Sequence, residues 1–400
     1  MLELEDALAR ILSTMPTPAA ETAALGEADG RVLSETIHSP LALPSFDNSS
    51  MDGYAVRAAD VLSAKADAPV HLRLAGRLPA GQTFTGALES GSCIRVFTGS
   101  PLPRSADAVV MQEDTRVEPG RLDEVLVLDA VRPGENVRLL GEDIKAEATL
   151  AVAGDVLTPG AVSLLAAAGL ARVRVGRVPV VGLLATGSEL RELGQGLGPG
   201  QIYESNRVGI SALVSRAGAR PILFPLVADE LADTRRALEE AFRECDIVVT
   251  SGGVSVGEMD FVKRAFEESG GELQFWKVAI KPGRPFVFGR RQEKFLFGLP
   301  GNPVSAHVTF LLLVRPALLR WQGATDVSLP SHPGVLAEAL VNPGGRRHFM
   351  RVKVDRGGKV HSAGAQASHL LTSLASANGM VDVPSQTTLS QGATVPVLSW

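Results

Sequence analysis

Three polar loops in the middle of the chain contain glycine, follow apolar runs, and have residue types that suit an anionic ligand. The loops are Thr186-Gly187-Ser188-Glu189, Ser251-Gly252-Gly253 and Gly298-Leu299-Pro300-Gly301-Asn302-Pro303. Glycine lets the backbone approach a ligand closely, and successive N–H groups form an anion-binding nest. Pro300 and Pro303 stiffen the last loop just before a predicted helix, whose N-terminus favours an anion. An ordinary turn with a helix cap is the alternative interpretation of each loop.

A basic segment precedes the last of these loops. Lys277, Lys281 and Arg284 recur in a stretch that is otherwise apolar. If this stretch is one strand, Lys277 and Lys281 point to the same side, because side chains alternate with a period of two. Several cations on one side suit an oxyanion such as phosphate or molybdate. An exposed edge strand that carries lysines against aggregation is the alternative.

Polar side chains in other glycine-containing loops form a third group of candidates. The group comprises Asp47, Asp52, Thr98, Asp143, Glu189 and Asp260. A carboxylate beside a glycine in a polar loop can hold a metal ion or activate water. A turn closed by an Asx hydrogen bond is the alternative. The seven histidines show no metal-binding spacing, and no Walker loop, Rossmann fingerprint or nucleophile elbow occurs.

Alternating strands and helices must position the glycine-containing loops. Strands are predicted at 178–185, 220–227, 246–250 and 295–299. Helices are predicted at 206–217, 229–243, 261–268 and 304–319, with Asp229 as an N-cap. Such alternation is typical of a doubly wound, parallel α/β sheet, which binds ligands beyond the carboxyl ends of its strands. Short strands split by Gly and Pro predict small β domains on either side, near the N-terminus and at the C-terminus.

Composition narrows the classes of function. The chain has 400 residues and a formal net charge of −5, which argues against a general nucleic-acid binder. The two cysteines, Cys93 and Cys245, lie in apolar surroundings, so a disulfide framework is not expected. The first residues lack the pattern of a signal peptide, and we find no apolar run that predicts a membrane span. We therefore expect a cytoplasmic location with neither nucleic-acid nor membrane partners.

Taken together, the motifs and their order resemble the molybdopterin molybdenumtransferase family, which includes the bacterial enzyme and the E domain of gephyrin. The most specific segments are Asn48-Ser-Ser-Met-Asp-Gly-Tyr-Ala55, Thr98-Gly-Ser-Pro-Leu-Pro103, Ala108-Val-Val-Met-Gln-Glu113, Val137-Arg-Leu-Leu-Gly-Glu-Asp143, Thr250-Ser-Gly-Gly-Val-Ser-Val-Gly257, Lys277-Val-Ala-Ile-Lys-Pro-Gly-Arg-Pro285 and Gly298-Leu-Pro-Gly-Asn-Pro-Val-Ser305. The resemblance implies an elongated, multidomain subunit that forms a homodimer. Its domains would be residues 1–44 with 139–176 (linker and dimerisation), 45–138 (small β), 177–326 (α/β, molybdopterin-binding) and 327–400 (C-terminal β).

The resemblance also implies a reaction and a set of site residues. Adenylylated molybdopterin would be hydrolysed with Mg²⁺, and molybdate, the second substrate, would be inserted as AMP is released. The implied catalytic residues are Asp52, Asp143 and Glu189, with Asp52 and Glu189 as metal ligands. The implied substrate-binding residues are Thr98, Asp229, Ser251, Gly252, Gly253, Asp260, Lys277, Lys281, Pro300, Pro303, Arg351 and Ser373. Ser188 departs from the pattern, because the family commonly has aspartate there.

Other functions and partners are compatible with the same sequence. The alternatives are a molybdopterin adenylyltransferase-like enzyme, a paralogue that inserts tungstate, and a scaffold without catalysis. The resemblance makes the molybdopterin adenylyltransferase and molybdoenzyme chaperones candidate partners. Because Asp52 and Lys281 are far apart in sequence, we expect a complete site to need two domains, from one subunit or from two.

Overall fold

The computed structural model describes residues 1–16, 18–254 and 261–400. The chain divides into two compact units. The larger unit comprises Met1–Glu35, Ala153–Leu157 and Val173–Trp400, and the smaller comprises Thr36–Val152 and Thr158–Arg172.

A six-stranded sheet forms the centre of the larger unit. Its strands, in spatial order, are Arg220–Leu223, Val180–Ala185, Ile247–Ser251, Lys294–Leu299, Pro285–Arg291 and Glu272–Lys277. The first four strands are parallel, as predicted, whereas the last two are antiparallel to their neighbours. The sequence prediction missed this difference because a short turn at Gln292 joins two of the strands as a hairpin, and a tight turn permits only antiparallel pairing.

Helices cover the sheet and bury its apolar side chains. Among the described residues, the helices of this unit are Leu4–Thr14, Asn206–Arg216, Leu231–Glu244, Val262–Glu268, Pro303–Thr309, Arg315–Trp321 and Leu371–Ser376, with a 3-10 turn at Leu25–Glu27. The smaller unit has the helix Pro159–Ala167 and 3-10 turns at Ala58–Asp60 and Gln112–Asp114. A π-helical turn, Phe310–Val314, makes one continuous helix of Pro303–Trp321. Burying each of the four sheet phenylalanines contributes about 2 kcal/mol. These phenylalanines are Phe286, Phe288, Phe295 and Phe297.

The helix Pro303–Trp321 is long and apolar enough to cross a bilayer by length and composition alone. However, 83% of its most apolar stretch is buried against the rest of the unit. Burial of this kind is also found in the core helix of a globular protein, so the helix by itself is weak support for a membrane span.

Two local predictions in the larger unit are wrong. Asp229 does not cap the following helix, because that helix begins one residue later, after Glu230, without a side-chain cap. Lys277 and Lys281 do not lie on one strand, because the strand Glu272–Lys277 ends before Val278. Lys281 belongs to the two-residue strand Ile280–Lys281, which pairs with Arg347–Val354 in another sheet.

That second sheet belongs to the C-terminal part of the larger unit. Its further strands are Ser331–Leu336, Lys359–Ser362, Gly379–Val383 and Thr394–Leu398. Pairing between Arg347–Val354 and Gly379–Val383 closes a ring of five strands around an apolar core. The remaining strands of this unit are Ala20–Ala24, Arg172–Gly176 (which begins at the unit boundary), Leu190–Arg191, Ile202–Tyr203, Leu340–Asn342 and Thr387–Leu389.

The smaller unit is built on a six-stranded sheet of its own. In spatial order its strands are Ala108–Met111, Gly53–Val56, Ser92–Val96, Val70–Leu78, Glu124–Val127 and Thr115–Arg116. Asn48–Ser49 pairs with Val137–Arg138, and Ile37–His38 pairs with Thr149–Ala151. These pairings connect both ends of the β-rich segment within one unit. The antiparallel pairing of Gly53–Val56 with Ser92–Val96 brings Asp52 close to Thr98.

Candidate functional site

The three glycine-containing loops of the larger unit meet around one cavity of about 740 Å³. They follow the parallel strands Val180–Ala185, Ile247–Ser251 and Lys294–Leu299, so their convergence follows from the parallel pairing. Predicted site residues that line the cavity are Glu189, Asp229, Ser251, Gly252, Gly253, Pro300 and Pro303. Its volume is in the range of cavities that hold small molecules and cofactors.

The loop after Ile247–Ser251 requires its glycines. Gly252 and Gly253 have φ angles of +89° and +63°, which residues with a Cβ rarely adopt. A Cβ on Gly252 would lie 2.6 Å from the carbonyl oxygen of Thr186. A Cβ on Gly253 would lie 2.8 Å from both the Thr186 hydroxyl and a methyl group of Val262. Close approach of two backbone segments therefore explains these glycines without a ligand.

Not every amide of these loops is free for an anion. The N–H of Gly252 donates to the carbonyl oxygen of Leu299 at 3.1 Å, so it ties two of the loops together. The N–H groups of Gly253, Gly301 and Asn302 donate no backbone hydrogen bond within the described ranges. Asn302 is also the N-cap residue of the long helix Pro303–Trp321. These amides, with the helix N-terminus, are the groups that can bind an anion.

Two carboxylates lie at the same cavity on separate loops. The Asp229 carboxylate accepts the Ser188 N–H at 3.0 Å, and the Ser188 hydroxyl accepts the Asp229 N–H at 3.2 Å. Glu189 is exposed and lines the cavity beside this pair of loops. Ser188 thus fixes the loop that carries Glu189 without adding the third negative charge that an aspartate would bring.

Cations lie in an adjoining cavity of about 590 Å³ rather than in the first one. Lys281, Arg284 and Arg346 line it, and it shares Asn302 and His369 with the glycine-loop cavity. Burial, and then the charge of Arg284, lowers the pKa of Arg346 below its ordinary value. The adjoining cavity therefore combines concentrated positive charge with partial desolvation, which strengthens the binding of an oxyanion.

An uncharged histidine lies next to these cations. His348 pairs with Lys281 across two strands and is 2% exposed. Burial, and then the charges of Lys281, Arg351 and Arg346, lower the pKa of His348 to about 4. At neutral pH the imidazole is neutral, so the positive charge of the cavity comes from lysine and arginine.

Three other predicted residues do not line either cavity. Lys277 lies with Trp276 at a separate surface groove. Arg351 is fully buried and donates to the Ser373 hydroxyl at 3.0 Å and to the carbonyl oxygens of Ala365 and Ala367. Arg351 and Ser373 thus hold the loop that places Ser368 against Asn302 of the glycine-containing loop.

Asp52 is the best-defined carboxylate of the smaller unit. Its Oδ1 accepts hydrogen bonds from the backbone N–H of Thr98 at 2.8 Å and from the Thr98 hydroxyl at 3.0 Å. The backbone hydrogen bond, then the hydroxyl bond and the charge of Arg95, hold the pKa of Asp52 below its ordinary value. Asp52 is therefore ionised at neutral pH, and its Oδ2 makes no hydrogen bond within the described residues. Asp143, in the same unit, is exposed, and its backbone N–H donates to the Leu43 carbonyl oxygen.

The described residues fit a magnesium ion that is coordinated partly by protein carboxylates and partly by a substrate. Within the described ranges, no three His, Cys, Asp or Glu side chains gather as a metal cluster. Mg²⁺ commonly keeps several waters and binds through one or two carboxylates together with substrate phosphates. Asp52 in the smaller unit, and Glu189 and Asp229 in the larger, each offer such a carboxylate. Asp260, the remaining predicted carboxylate, lies outside the described residues.

Sequence reasoning missed several residues around the two cavities. Asn206, Arg346 and His369 were not predicted as site residues, although Asn206 was placed at the start of a predicted helix. An asparagine at a predicted helix start beside a ligand-binding edge is the signal that could have identified it. Arg346 and His369 come from the C-terminal part, where no sequence motif indicated proximity to the glycine loops.

Three family models match successive parts of the chain. They are described as the MoeA N-terminal region (domain I and II) over residues 2–169, a probable molybdopterin binding domain over 182–320, and the MoeA C-terminal region (domain IV) over 333–400.

Two molybdopterin molybdenumtransferases match almost the whole chain. The chain is 39% identical over 405 residues to the molybdopterin molybdenumtransferase of Haemophilus influenzae, and the match covers 99% of this chain and 98% of that protein. It is 41% identical over 369 residues to molybdopterin molybdenumtransferase 2 of Mycobacterium tuberculosis, covering 91% of this chain and 90% of that protein. The crystal structure of the molybdopterin biosynthesis MoeA protein of Pyrococcus horikoshii is similar with a TM-score of 0.83 and 31% identity, over 100% of both chains.

Proposed function

We infer that this chain, which belongs to the molybdopterin molybdenumtransferase family, inserts molybdenum into molybdopterin during molybdenum cofactor biosynthesis. The observation that carries this inference is the pair of adjoining cavities in the larger unit. One is lined by glycine-containing loops and carboxylates, and the other by Lys281, Arg284 and Arg346. A phosphorylated organic substrate and a small oxyanion would thus bind side by side.

The substrate of the first cavity is adenylylated molybdopterin in this proposal. The amides of Gly253, Gly301 and Asn302, with the helix N-terminus, would bind phosphate oxygens. Ser251 and the stiff loop from Pro300 to Pro303 would set the position of the ligand. Water would attack phosphorus and break the pyrophosphate bond, which releases AMP. The two dithiolene sulfurs would then bind molybdenum, and one oxo group of molybdate would leave as water with the two thiol protons.

Molybdate is the second substrate, and the basic cavity is where we place it. Lys281 and its arginine neighbours offset the charge of the dianion, which would otherwise be repelled by the phosphates nearby. Arg351, which bonds to Ser373, holds the loop of Ala365 and Ala367, and Ala367 lines this cavity. Lys277 lies on a different groove, so it is not part of the proposed molybdate site.

Magnesium is the cation that we propose for the hydrolytic step. It would offset the charge of the pyrophosphate and polarise the water that attacks it. Asp52 of the smaller unit and Glu189 of the larger unit are each proposed as a metal ligand, and Asp229, Asp260 and Asp143 are further polar groups for the ion or the substrate. Thr98 acts through Asp52, whose Oδ1 it holds with two hydrogen bonds.

The test is incubation of the purified protein with adenylylated molybdopterin, Mg²⁺ and either molybdate or tungstate. AMP release that depends on Mg²⁺, with molybdate retained in the product, is the expected result. Synthesis of adenylylated molybdopterin from ATP and molybdopterin would instead favour the adenylyltransferase alternative. Preference for tungstate would identify the paralogue, and no AMP with either oxyanion would favour a scaffold.

We further propose a homodimer located in the cytoplasm, with four domains at the boundaries predicted from the sequence. Light scattering coupled to size-exclusion chromatography tests the dimer by giving a mass near twice 42.0 kDa. Candidate protein partners are the molybdopterin adenylyltransferase, which would supply the substrate, and molybdoenzyme chaperones, which would accept the product.

A further inference from the structure

Asn206 bridges two of the glycine-containing loops with a single side-chain amide. Its Nδ2 donates to the hydroxyl oxygen of Ser251 at 2.6 Å and to the carbonyl oxygen of Gly301 at 2.7 Å. Ser251 ends one parallel strand, and Gly301 lies in the loop that follows its neighbour. The two hydrogens of the amide nitrogen therefore hold together two loops that belong to different strands.

A buried ion pair fixes the backbone from which Asn206 projects. One oxygen of the Glu204 carboxylate accepts the N–H groups of Asn206 at 2.6 Å and of Arg207 at 2.9 Å. The other oxygen accepts the Arg207 Nε at 2.9 Å, and both side chains are at most 5% exposed. Arg207 also bonds to Glu192 at 2.8 Å and to the carbonyl oxygen of Phe224. The first turn of the helix Asn206–Arg216 is thereby attached to three neighbouring segments.

We propose that Asn206 is a positioning residue that sets the spacing between the Ser251 loop and the Gly301 loop for the phosphates of the substrate. The proposal rests on the assignment of this cavity to the phosphorylated substrate. A hypothetical Cβ on Gly301 would contact only the Cα of Gly252, at 3.7 Å, so the two loops are in direct contact. The Gly252 N–H already joins the two loops at the Leu299 carbonyl oxygen, and within the described residues the Asn206 amide adds the hydrogen bond to Gly301 itself.

The chemistry of the amide predicts an order among substitutions. Alanine removes both donors, and water can replace them at Gly301 because that residue is exposed. Folding stability should change little for this reason. Aspartate has the same shape, but it places a carboxylate oxygen against the Gly301 carbonyl oxygen and beside the phosphates. Repulsion should therefore make Asn206→Asp worse than Asn206→Ala for substrate binding.

The experiment compares Asn206→Ala, Asn206→Asp, Ser251→Ala and the double variant Asn206→Ala with Ser251→Ala. Val208→Ala is the matched control, because Val208 lies on the same helix with 47% exposure and outside both cavities. AMP release from adenylylated molybdopterin gives KM and kcat, and thermal unfolding is measured for every variant. We expect Asn206→Ala to raise KM about 10-fold, the effect of losing one or two hydrogen bonds, with Tm close to that of the control.

The double variant shows whether Asn206 acts by positioning Ser251 or contributes to substrate binding independently of it. If Asn206 acts through Ser251, its removal in the Ser251→Ala background should raise KM by a clearly smaller factor, about 3-fold. Equal factors in both backgrounds, or an aspartate variant as active as the wild type, would overturn the proposal. A large fall in Tm without the predicted order of KM values would show a structural role only, which also contradicts it. If the wild type and Val208→Ala release no AMP, the failure lies with the proposed function.

Discussion

Acidification from pH 7 to pH 5 should destabilise the larger unit by roughly 4 kcal/mol through two buried histidines. Burial, together with the charge of Arg216, lowers the pKa of His307 to about 4. Burial and three neighbouring cations lower the pKa of His348 to about 4 as well. Both are uncharged in the folded protein, whereas in the unfolded chain they titrate with a pKa near 6.5.

The direction of the change in folding stability with pH follows from proton binding. Between pH 6.5 and pH 4 the unfolded chain binds protons that the folded protein does not, so stability falls as the pH falls and levels off below about 4. For each histidine, the difference between pH 7 and pH 5 is about 2 kcal/mol. Substitution of either histidine by glutamine removes its share, so that variant should lose about 2 kcal/mol less than the wild type over this interval.

Urea unfolding followed by tryptophan fluorescence measures this difference. All three tryptophans, Trp276, Trp321 and Trp400, belong to the larger unit, so the signal reports that unit alone. His332→Gln is the control, because His332 is exposed in the same unit. The reasoning is refuted if His307→Gln and His348→Gln lose as much stability between pH 7 and pH 5 as the wild type and the control do.

Further predictions concern the two cavities. Gly252→Ala should lower kcat/KM by at least about 100-fold, because its Cβ would clash with the Thr186 carbonyl at a φ of +89°; steady-state AMP release measures it. Ser188→Asp should lower the Mg²⁺ concentration that gives half-maximal AMP release, because it adds a carboxylate beside the proposed metal ligands; a Mg²⁺ titration measures it. Lys281→Met should raise the molybdate concentration needed for half-maximal cofactor formation about 10-fold or more, since it removes one cation from the oxyanion cavity.

Two of these variants have a matched control in the same unit. Gly209→Ala fills open space on a helix and should keep activity, so equal losses in Gly252→Ala and Gly209→Ala would contradict the steric argument. Lys353→Met removes an exposed lysine from the C-terminal sheet, and an equal molybdate effect there would exclude a specific role for Lys281. An unchanged Mg²⁺ requirement in Ser188→Asp would place the ion away from Ser188.

The sequence predicted the glycine-loop cavity well because its parts are local. Parallel strands of the α/β unit end at one edge, so an apolar run followed by Ser251-Gly252-Gly253 or Pro300-Gly301 is enough to place a loop at that edge. The alternation of strands and helices is likewise a local pattern. The hairpin that joins the antiparallel strand Pro285–Arg291 to Lys294–Leu299 was missed, because the five consecutive polar residues Arg290 to Lys294 gave no strong turn signal.

The basic cavity could not be predicted in the same way. Lys281 and Arg346 lie close only because Ile280–Lys281 pairs with Arg347–Val354, which is a contact between segments far apart in sequence. The break of the strand after Lys277 removed Lys277 from this group, and no residue type in Val278 or Ala279 signals that break. The interior position of Arg351 was also hidden, since a buried arginine depends on partners such as Ser373 that only the tertiary structure supplies.

Activation of a molybdenum-dependent enzyme that lacks its cofactor tests the central claim most directly. The purified chain would be mixed with adenylylated molybdopterin, molybdate, Mg²⁺ and the cofactor-free enzyme, in parallel with the Asp52→Ala and Lys281→Met variants. We predict that the wild type restores activity with one AMP released per cofactor formed, and that both variants restore far less. Restoration that does not need this chain, or AMP release without any active cofactor, would contradict the account.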